Sequence, residues 1–411
     1  MMNRVLFSLF LIAFSTAAAR DPAVKPGIDV LRESGYEILK GKRVGLITNQ
    51  SGVDSRLRPT IDILHAAAEV ELVALFGPEH GVRGDHSGGE KISSYTDPRT
   101  NLPVYTLYSS TRKPTEEMLE GIDALVYDIQ DIGCRSYTYI GTMGRAMAAA
   151  AEQGIEFVVL DRPNPLGGVR VEGSLIDNRY RSLVSQYPIP YVYGLTCGEL
   201  ARLINEEGML EGGVRCRLTV VPMVGWDRSM VFEETGLPWV PTSPHIPEAR
   251  SPLYYVSSGI MDELHTVDHG IGYTIPFQTF AAEWIDAGTL CDSANALGLE
   301  GVLFRPITYR PFYGKAKGKT VHGVQVHILD PAGVHLMSLQ FLLMQVHHKL
   351  YPEKNPFDMA DTSRIRTFDK VCGNSRVREL FTERMVYEDV REFLEKDVPG
   401  FLTLSKKYRI Y

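Results

Sequence analysis

The first half of the chain alternates short apolar runs with amphipathic segments. Runs rich in aliphatic and β-branched residues predict buried strands, and apolar positions spaced three and four apart predict helices. The predicted strands are residues 43–48, 70–76, 124–129, 155–160 and 218–221, and the predicted helices are 59–67, 115–121, 142–153 and 196–207. Apolar strands separated by helices form a mostly parallel sheet that is covered on both faces. We therefore predict a Rossmann-like α/β domain over residues 20–224.

The second half of the chain begins with a segment rich in proline. Between residues 225 and 252, few strand or helix signals accompany Pro238, Pro241, Pro244, Pro247 and Pro252, so we expect a Pro-rich crossover. Beyond it, the pattern predicts a strand near residues 321–329, a helix near 336–350 and a charged helix near 376–396. These elements predict a smaller α+β domain over residues 253–411.

The first 19 residues have the pattern of a secretory signal peptide. Arg4 precedes an apolar run over residues 5–14, and three alanines end the segment at Ala19. A bilayer span needs about 20 apolar residues, so a membrane anchor is the weaker interpretation. We expect cleavage near Ala19, export to the periplasm or the extracellular space, and no membrane span in the mature protein.

The composition excludes several classes of partner and cofactor. The net charge is -7 and no run of lysine or arginine is present, which argues against a nucleic-acid partner. No G-x-G-x-x-G follows the first predicted strand, so a dinucleotide site lacks its main support and we predict no cofactor. No G-x-S-x-G elbow of a serine hydrolase occurs either. The five cysteines are odd in number and widely spaced, which matches neither a disulfide framework nor a zinc knuckle.

Four polar, glycine-rich segments each follow a predicted strand. They start at Thr48, Gly77, Asp128 and Asp161. The carboxyl ends of parallel strands lie at one edge of a sheet, where ligands of open α/β sheets bind. The four segments therefore predict one ligand site.

Glu79 is the leading catalytic candidate in this predicted site. Pro78 fixes the chain before it, and Gly77 and Gly81 allow a sharp turn. Partial desolvation at the strand ends would suit this carboxyl to general acid catalysis. The alternative is a loop glutamate that caps a turn or pairs with Arg83. Asp128, on the same edge, is the candidate for the second carboxyl that a glycosidase requires.

Other polar and aromatic residues of the same edge are candidates for binding a substrate. Arginines suit an anionic group, tyrosines offer aromatic faces to a sugar ring, and amide or acid side chains accept and donate hydrogen bonds. The candidates are Asn49, His80, Arg83, Arg135, Tyr137, Tyr139, Asp161, Arg162 and Asn164. The alternative is that the acids and arginines pair with one another to hold the loops, and that the tyrosines only pack.

Two histidine-containing clusters have nearly the spacing of metal ligands. One comprises His265, Asp268 and His269, and the other comprises His80 with residues 85 and 86. Neither matches a motif of known geometry, so we predict no metal site.

At these segments the sequence resembles the bacterial exo-β-N-acetylmuramidase family. The matching runs are GLITNQSGV at 45–53, LFGPEHGVRG at 75–84, DIQDIGCRSYTY at 128–139, VLDRPNPLGG at 159–168, GLPW at 236–239, GVQVH at 323–327 and YRIY at 408–411. The resemblance implies a Rossmann-like domain and a smaller domain with the active cleft between them. It also implies release of terminal N-acetylmuramic acid from peptidoglycan fragments, with Glu79 at the position of the family's proposed catalytic glutamate.

One segment departs from the family pattern. Where the pattern resembles Glu-Gly-Thr-Asn-x-Ser-x-Gly-Arg-Gly-Thr, this chain has ELHTVDHGIGY at residues 263–273. The resemblance implies that the retained Glu263 binds substrate, whereas Ile271 replaces an arginine that would bind a sugar carboxylate. Two hypotheses follow: a glycoside hydrolase that acts on a peptidoglycan-derived sugar, or a non-catalytic envelope protein that binds muropeptide or glycan in the same cleft.

Overall fold

The computed structural model describes residues 22–84, 93–108 and 111–411. The predicted signal peptide and residues 85 and 86 lie outside these ranges. The described strands are β1 (Arg43–Thr48), β2 (Glu71–Gly77), β3 (Tyr95–Thr96), β4 (Pro103–Thr106), β5 (Ala124–Asp128), β6 (Glu156–Leu160), β7 (Arg217–Val221), β8 (Thr279–Ala282), β9 (Val302–Tyr309) and β10 (Val321–Ile328). The described helices of the first half are α1 (Gly27–Glu33), α2 (Thr60–Ala66), α3 (Glu116–Leu119), α4 (Tyr139–Glu152) and α5 (Cys197–Glu206).

In the second half, two helices occupy the segment for which the sequence predicts a single helix. The described helices of this half are α6 (Ser251–Asp262), α7 (Ala287–Asn295), α8 (Leu336–Leu350), α9 (Pro356–Met359), α10 (Thr362–Cys372), α11 (Arg376–Arg384), α12 (Glu388–Glu395) and α13 (Val398–Ser405). The single helix predicted over residues 376–396 is therefore wrong. It breaks at Met385, whose φ of 54° is left-handed and ends α11. Helix α6 begins at Ser251, inside the segment predicted as crossover.

The first domain is built on a mostly parallel sheet. Within the described ranges, its strand order is β3-β4-β2-β1-β5-β6-β7, and only β3 runs antiparallel to its neighbour. Successive residues of β1 face opposite sides: Leu46 packs towards α1 and α2, and Ile47 packs towards α4 and α5. This two-sided burial explains the continuous apolar runs of the sequence. The predicted Rossmann-like α/β fold is confirmed.

The second domain has a smaller antiparallel sheet with strand order β8-β10-β9. Helices α6, α7 and α8 cover it and share one apolar core with it. That core also includes Ile132, Tyr191 and Val192 of the first domain, so the two domains pack directly against each other. In the opposite direction, Phe401 of α13 and Tyr408 belong to the core between the first-domain sheet and α4 and α5. Within the described ranges, no helix is both long and apolar enough to cross a bilayer.

Candidate active site in the cleft between the domains

A cleft of about 820 Å³ lies between the two domains. The first domain contributes the loop after β2 and the start of α4, the crossover contributes residues 243–246, and the second domain contributes the end of α6 and the segment that follows it. Its polar and aromatic lining residues are Glu79, His80, Tyr108, Ser136, Tyr137, Thr138, Tyr139, Ser243, His245, Tyr255, Asp262, Glu263, Phe277 and Tyr313. The cleft thus brings together five of the predicted site residues: Glu79, His80, Tyr137, Tyr139 and Glu263.

Glu79 enters the cleft from a tight turn after β2. Strand β2 ends at Gly77, and the left-handed backbone of His80 and Gly81 turns the chain back within two residues. The Glu79 side chain is half-buried and forms a hydrogen bond with the Tyr108 hydroxyl. Burial, reinforced by this carboxylate, raises the pKa of Tyr108 to about 12, so the phenol stays protonated and donates to Glu79. The turn therefore presents an oriented carboxyl to the cleft.

Two adjacent carboxyls come from the second domain. Asp262 is the last residue of α6, Glu263 follows it, and both line the cleft. Burial, together with the charges of Glu263 and Asp268, raises the pKa of Asp262 to about 8, and burial also raises the pKa of Glu263. The carboxyl end of a helix adds partial negative charge and disfavours ionisation further. At neutral pH the pair therefore retains a proton.

Aromatic rings form much of the cleft wall. Tyr137 makes edge contacts with Tyr139, at 4.9 Å between ring centroids, and with Tyr255, at 5.9 Å. Across the cleft, His245 stacks on Tyr313, and its Nε2 lies 2.7 Å from the Tyr313 hydroxyl. Burial, followed by the nearby His80, lowers the pKa of His245, so this imidazole is mostly neutral at pH 7. Such a wall suits the apolar faces of a sugar ring.

The polar segments at the sheet edge meet as predicted, but they bind one another and leave only a cavity of about 20 Å³, which holds about one water molecule. Thr48 Oγ1 donates to Asp128 O at 2.8 Å, and Gln130 N donates to Ser51 Oγ at 3.0 Å. The crossover covers this edge, since Gln50 Nε2 donates to Pro241 O at 2.9 Å. The carboxyls and aromatic rings of the candidate site lie beside this edge, in the cleft.

Asp128 is not placed to act on a substrate, which corrects its assignment as a catalytic residue. Its side chain is fully buried and accepts two hydrogen bonds from Arg162, Nε to Oδ1 at 2.5 Å and Nη2 to Oδ2 at 2.9 Å. Thr60 Oγ1 donates to the same carboxylate at 2.5 Å, and Arg162 Nη2 also donates to Val53 O at 2.7 Å. The two residues form a buried ion pair that holds the loops after β1 and β5. The prediction that Arg162 binds substrate is therefore also wrong, because its guanidinium already binds Asp128 and Val53 O.

Arg135 is likewise a structural residue. It is almost completely buried, and its guanidinium donates to four backbone carbonyl oxygens: Ser174 O at 2.9 Å, Ile189 O at 2.6 Å, Val371 O at 3.0 Å and Cys372 O at 2.8 Å. The first two carbonyls belong to the first domain, and the last two belong to α10 of the second domain. Burial lowers the pKa of Arg135 to about 10, which leaves the group charged at neutral pH. Its prediction as an anion ligand is wrong because both Nη atoms already donate to carbonyls of the two domains.

The remaining predicted ligands also have structural partners outside the cleft. Asp161, whose pKa burial raises to about 6, accepts from Thr196 Oγ1 at 2.6 Å and from the Tyr411 hydroxyl at 2.8 Å. Asn49 accepts from Ser51 N at 2.9 Å, and Asn164 Nδ2 donates to Leu195 O at 2.9 Å. These buried side chains hydrogen-bond to groups of their own or neighbouring segments outside the cleft, which corrects their assignment.

Arg83 pairs with two aspartates of the first domain. Its Nε and Nη2 donate to Asp97 at 2.6 and 2.9 Å, and Nη2 also reaches Asp62 at 3.2 Å. The hydrogen bonds from this guanidinium hold the pKa of Asp97 far below its usual range. Arg83 therefore fixes the turn around Asp97 and does not line the cleft.

The histidine and cysteine candidates give no metal or disulfide chemistry in the part of the chain that the structure describes. No group of three potential metal ligands converges there. Asp268 accepts a hydrogen bond from Tyr309, and His269 Nδ1 lies 3.0 Å from Thr279 O. The five cysteines are buried, free thiols.

Residues 263–273, which depart from the family pattern, border the cleft. Ile271 lines the cavity together with Glu263, so an arginine at position 271 would also border the cavity. No lysine or arginine occurs among the described residues that line the cavity. An anionic group bound in it would therefore meet hydroxyl and imidazole groups such as those of Ser243 and His80.

Several cleft residues lie in segments where the sequence carries no signal for a functional site. Tyr108 follows a strand too short to predict, and His245 lies in the proline-rich segment, which carries no strand or helix signal. Tyr313 is in the turn between β9 and β10, which is distant in sequence from Glu79. One signal was available for Asp262, since it is adjacent to the predicted Glu263.

Comparisons with known proteins agree over nearly the whole chain. Residues 44–250 match the family model described as the N-terminal part of exo-beta-N-acetylmuramidase NamZ, and residues 253–411 match the model of its C-terminal part. The peptidoglycan beta-N-acetylmuramidase NamZ of Bacillus subtilis (strain 168) is 42% identical over 393 residues, which cover 96% of this chain and 92% of that protein.

Two crystal structures of DUF1343 family proteins from Bacteroides fragilis are similar in fold. One has a TM-score of 0.91 and 54% identity, covering 95% of this chain and 100% of the other. The second has a TM-score of 0.75 and 28% identity, covering 94% of this chain and 99% of the other.

Proposed function

Since this chain belongs to the exo-β-N-acetylmuramidase family, we propose that it hydrolyses the bond of a terminal N-acetylmuramic acid in peptidoglycan fragments. One observation carries this proposal. The interdomain cleft holds carboxyls from both domains, Glu79 from the first and Asp262 with Glu263 from the second, within an aromatic wall. A glycosidase needs two acidic groups around one sugar, and this cleft supplies them.

The two sets of carboxyls suit different tasks. Glu79, oriented by the Tyr108 hydroxyl, protonates the leaving oxygen and later activates water as general acid and base. Burial raises the pKa of Asp262 to about 8, so Asp262 is mostly protonated at neutral pH, and the adjacent Glu263 brings a second carboxyl into the same partly desolvated part of the cleft. When it is ionised, the Glu263 carboxylate stabilises the oxocarbenium-like transition state, because electrostatic stabilisation is strongest where water is excluded. This assignment replaces Asp128 as the second acidic group.

The substrate carries its own carboxylate on the lactyl ether of muramic acid. With Ile271 in the cleft and the three predicted arginines engaged elsewhere, we propose that hydroxyl and imidazole groups bind this carboxylate, among them those of Ser243, Thr138 and His80. A hydroxyl donor lacks the ion-pair attraction that an arginine would add to its hydrogen bonds. We therefore expect a preference for the muramic sugar over N-acetylglucosamine that is real but modest.

The decisive experiment is Glu79→Gln, assayed by release of N-acetylmuramic acid from a β-linked N-acetylmuraminide. Loss of the ionisable group should lower kcat/KM by about 10²–10⁴-fold, the usual contribution of general acid and base catalysis. Glu120→Gln is the matched control because Glu120 is exposed at the end of α3, away from the cleft. Both variants should keep the thermal midpoint of the native protein. Full activity of Glu79→Gln would remove Glu79 from the mechanism.

A non-catalytic binding protein is the alternative, and the same assay separates it. If the native chain releases no sugar from muraminides but binds a muropeptide in calorimetry, the cleft is a binding site only. Glu263→Gln adds a second criterion. It should lower kcat and shift the pH profile of the reaction, since it removes a cleft carboxyl whose pKa is raised by burial.

We also propose that the protein is exported, with cleavage near Ala19. The signal-peptide pattern of residues 1–19 supports this, as does a substrate that lies outside the cytoplasmic membrane. N-terminal sequencing of the mature protein should begin close to Arg20. Uncleaved protein in the membrane fraction would contradict the proposal.

A further inference from the structure

Two consecutive large apolar side chains are exposed beside the cleft, which the second of them lines. Phe312 and Tyr313 lie in the turn between β9 and β10, with 64% and 47% of their surface accessible. Single exposed apolar residues are ordinary, but adjacent rings at the edge of a binding cleft are typical of contact surfaces. We call Tyr273, Phe312 and Tyr313 the aromatic rim.

The rim is held in place by ring stacking. Tyr313 lines the cleft and stacks on His245, with 6.0 Å between ring centroids and 27° between planes. Phe312 stacks on Tyr273 at 5.5 Å and 30°, and Tyr273 stacks on Tyr309 at 4.8 Å and 30°. The rings of Phe312 and Tyr313 are therefore supported by neighbouring rings, while much of each remains open to solvent.

Backbone contacts fix the turn to the segment that departs from the family pattern. Phe312 N donates to Gly272 O at 2.7 Å, and Gly318 N donates to Pro311 O at 3.0 Å. A Cβ atom on residue 272 would lie 2.1 Å from Tyr313 O, so the close approach requires glycine there. The rim is thus a preorganised surface that is joined through Gly272 to Ile271 of the cleft wall.

The position of the rim identifies its ligand, given the proposed function. An enzyme that removes terminal sugars encloses the terminal residue, so the rest of the glycan extends out of the cleft on the leaving-group side. We propose that Phe312 and Tyr313 form a subsite that stacks on the sugar attached to the terminal N-acetylmuramic acid. The C–H face of a pyranose suits an aromatic face, and the preformed rim loses little conformational entropy on binding.

The test compares two substrates in Phe312→Ala and in the native protein. One is the disaccharide of N-acetylmuramic acid β-linked to N-acetylglucosamine, and the other is methyl β-N-acetylmuraminide, which has no second sugar. The ratio of kcat/KM for the disaccharide to that for the methyl glycoside should fall about five- to tenfold, as expected for one lost ring contact. Phe312→Tyr should restore the ratio. Leu329→Ala, an exposed apolar residue outside the rim, is the matched control.

The outcomes separate this inference from the proposed function. If Phe312→Ala lowers kcat/KM equally for both substrates, or for neither, the subsite is refuted while the muramidase activity stands. If the native protein cleaves neither substrate, the proposed function fails. Calorimetric binding of the disaccharide then decides the subsite: an affinity unchanged by Phe312→Ala refutes it, and a weaker affinity supports it.

Discussion

Replacing Arg135 tests whether this residue joins the two domains or binds substrate. In Arg135→Met the apolar stem remains, but the carbonyls of Ser174, Ile189, Val371 and Cys372 lose their donor. Each hydrogen bond to a charged group is worth about 1.5–3 kcal/mol, but burying the cation already costs free energy, so the contributions do not add. We expect the free energy of unfolding to fall by about 3–5 kcal/mol, because the variant leaves up to four buried carbonyls without a donor, at about 1–3 kcal/mol each, while it removes the cost of burying the cation.

Two further variants sharpen this prediction. Arg135→Lys keeps the charge, but one ammonium cannot reach all the carbonyls that two guanidinium nitrogens now contact. We therefore expect about half of the stability loss of Arg135→Met. Arg179→Met is the matched control. Arg179 is 80% exposed and paired with Asp177, and its loss should leave the unfolding midpoint unchanged.

The measurement is urea unfolding followed by circular dichroism and tryptophan fluorescence, together with muraminide kinetics under folding conditions. If Arg135 is structural, the midpoint falls and the KM of the folded fraction stays near the native value. An unchanged midpoint combined with a tenfold higher KM would refute the structural role. It would restore the assignment of Arg135 as a ligand for the sugar carboxylate.

Three more predictions follow from the site. Asp128→Asn should cost about 3–5 kcal/mol of stability because it leaves the buried Arg162 without its carboxylate; a loss of activity at native stability in urea unfolding would contradict this. Burial raises the pKa of Asp262 from 3.8 to about 8, so the folded state binds more protons than the unfolded state between these values, and stability falls as pH rises. Asp262→Asn should therefore raise the thermal midpoint at pH 8 and leave it nearly unchanged at pH 4, and equal effects at both pH values would exclude this carboxyl as the cause. Ile271→Arg should increase the preference for muramic over glucosamine substrates about ten- to a hundredfold, the value of one charge-assisted hydrogen bond, whereas Ile271→Met should not; an unchanged ratio of rates would show that position 271 does not contact the lactyl group.

The sheet could be predicted from the sequence because its signal is local. Strand β1 begins and ends where the apolar run does, and β5, β6 and β7 agree with their predictions within one residue. Strands β8 and β9 carried no comparable signal. In β9, exposed and buried residues alternate around Pro306, so no continuous apolar run marks the strand.

The candidate site could be predicted only in part because polar residues at strand ends serve two purposes. The sequence places Glu79 and Asp128 in equivalent positions, each after a buried strand. In the folded chain Arg162 and Thr60 enclose Asp128, whereas the turn at His80 directs Glu79 into the cleft. The contacts that enclose Asp128 join segments 34 and 68 residues apart in sequence. Periodicity and spacing do not report such contacts.

The contacts of α13 and residues 408–411 with the first domain affect how the protein can be synthesised. Phe401 and Tyr408 complete one face of the first-domain sheet, the Tyr411 hydroxyl donates to Asp161, and Ile410 N donates to Glu199 at 2.8 Å. Domains usually fold as units while the ribosome is still translating. Here the domain that is translated first lacks part of its apolar cover until residue 411 has emerged. Translation of the whole chain must therefore precede completion of its first domain, and a fragment ending near residue 250 would expose that face and aggregate.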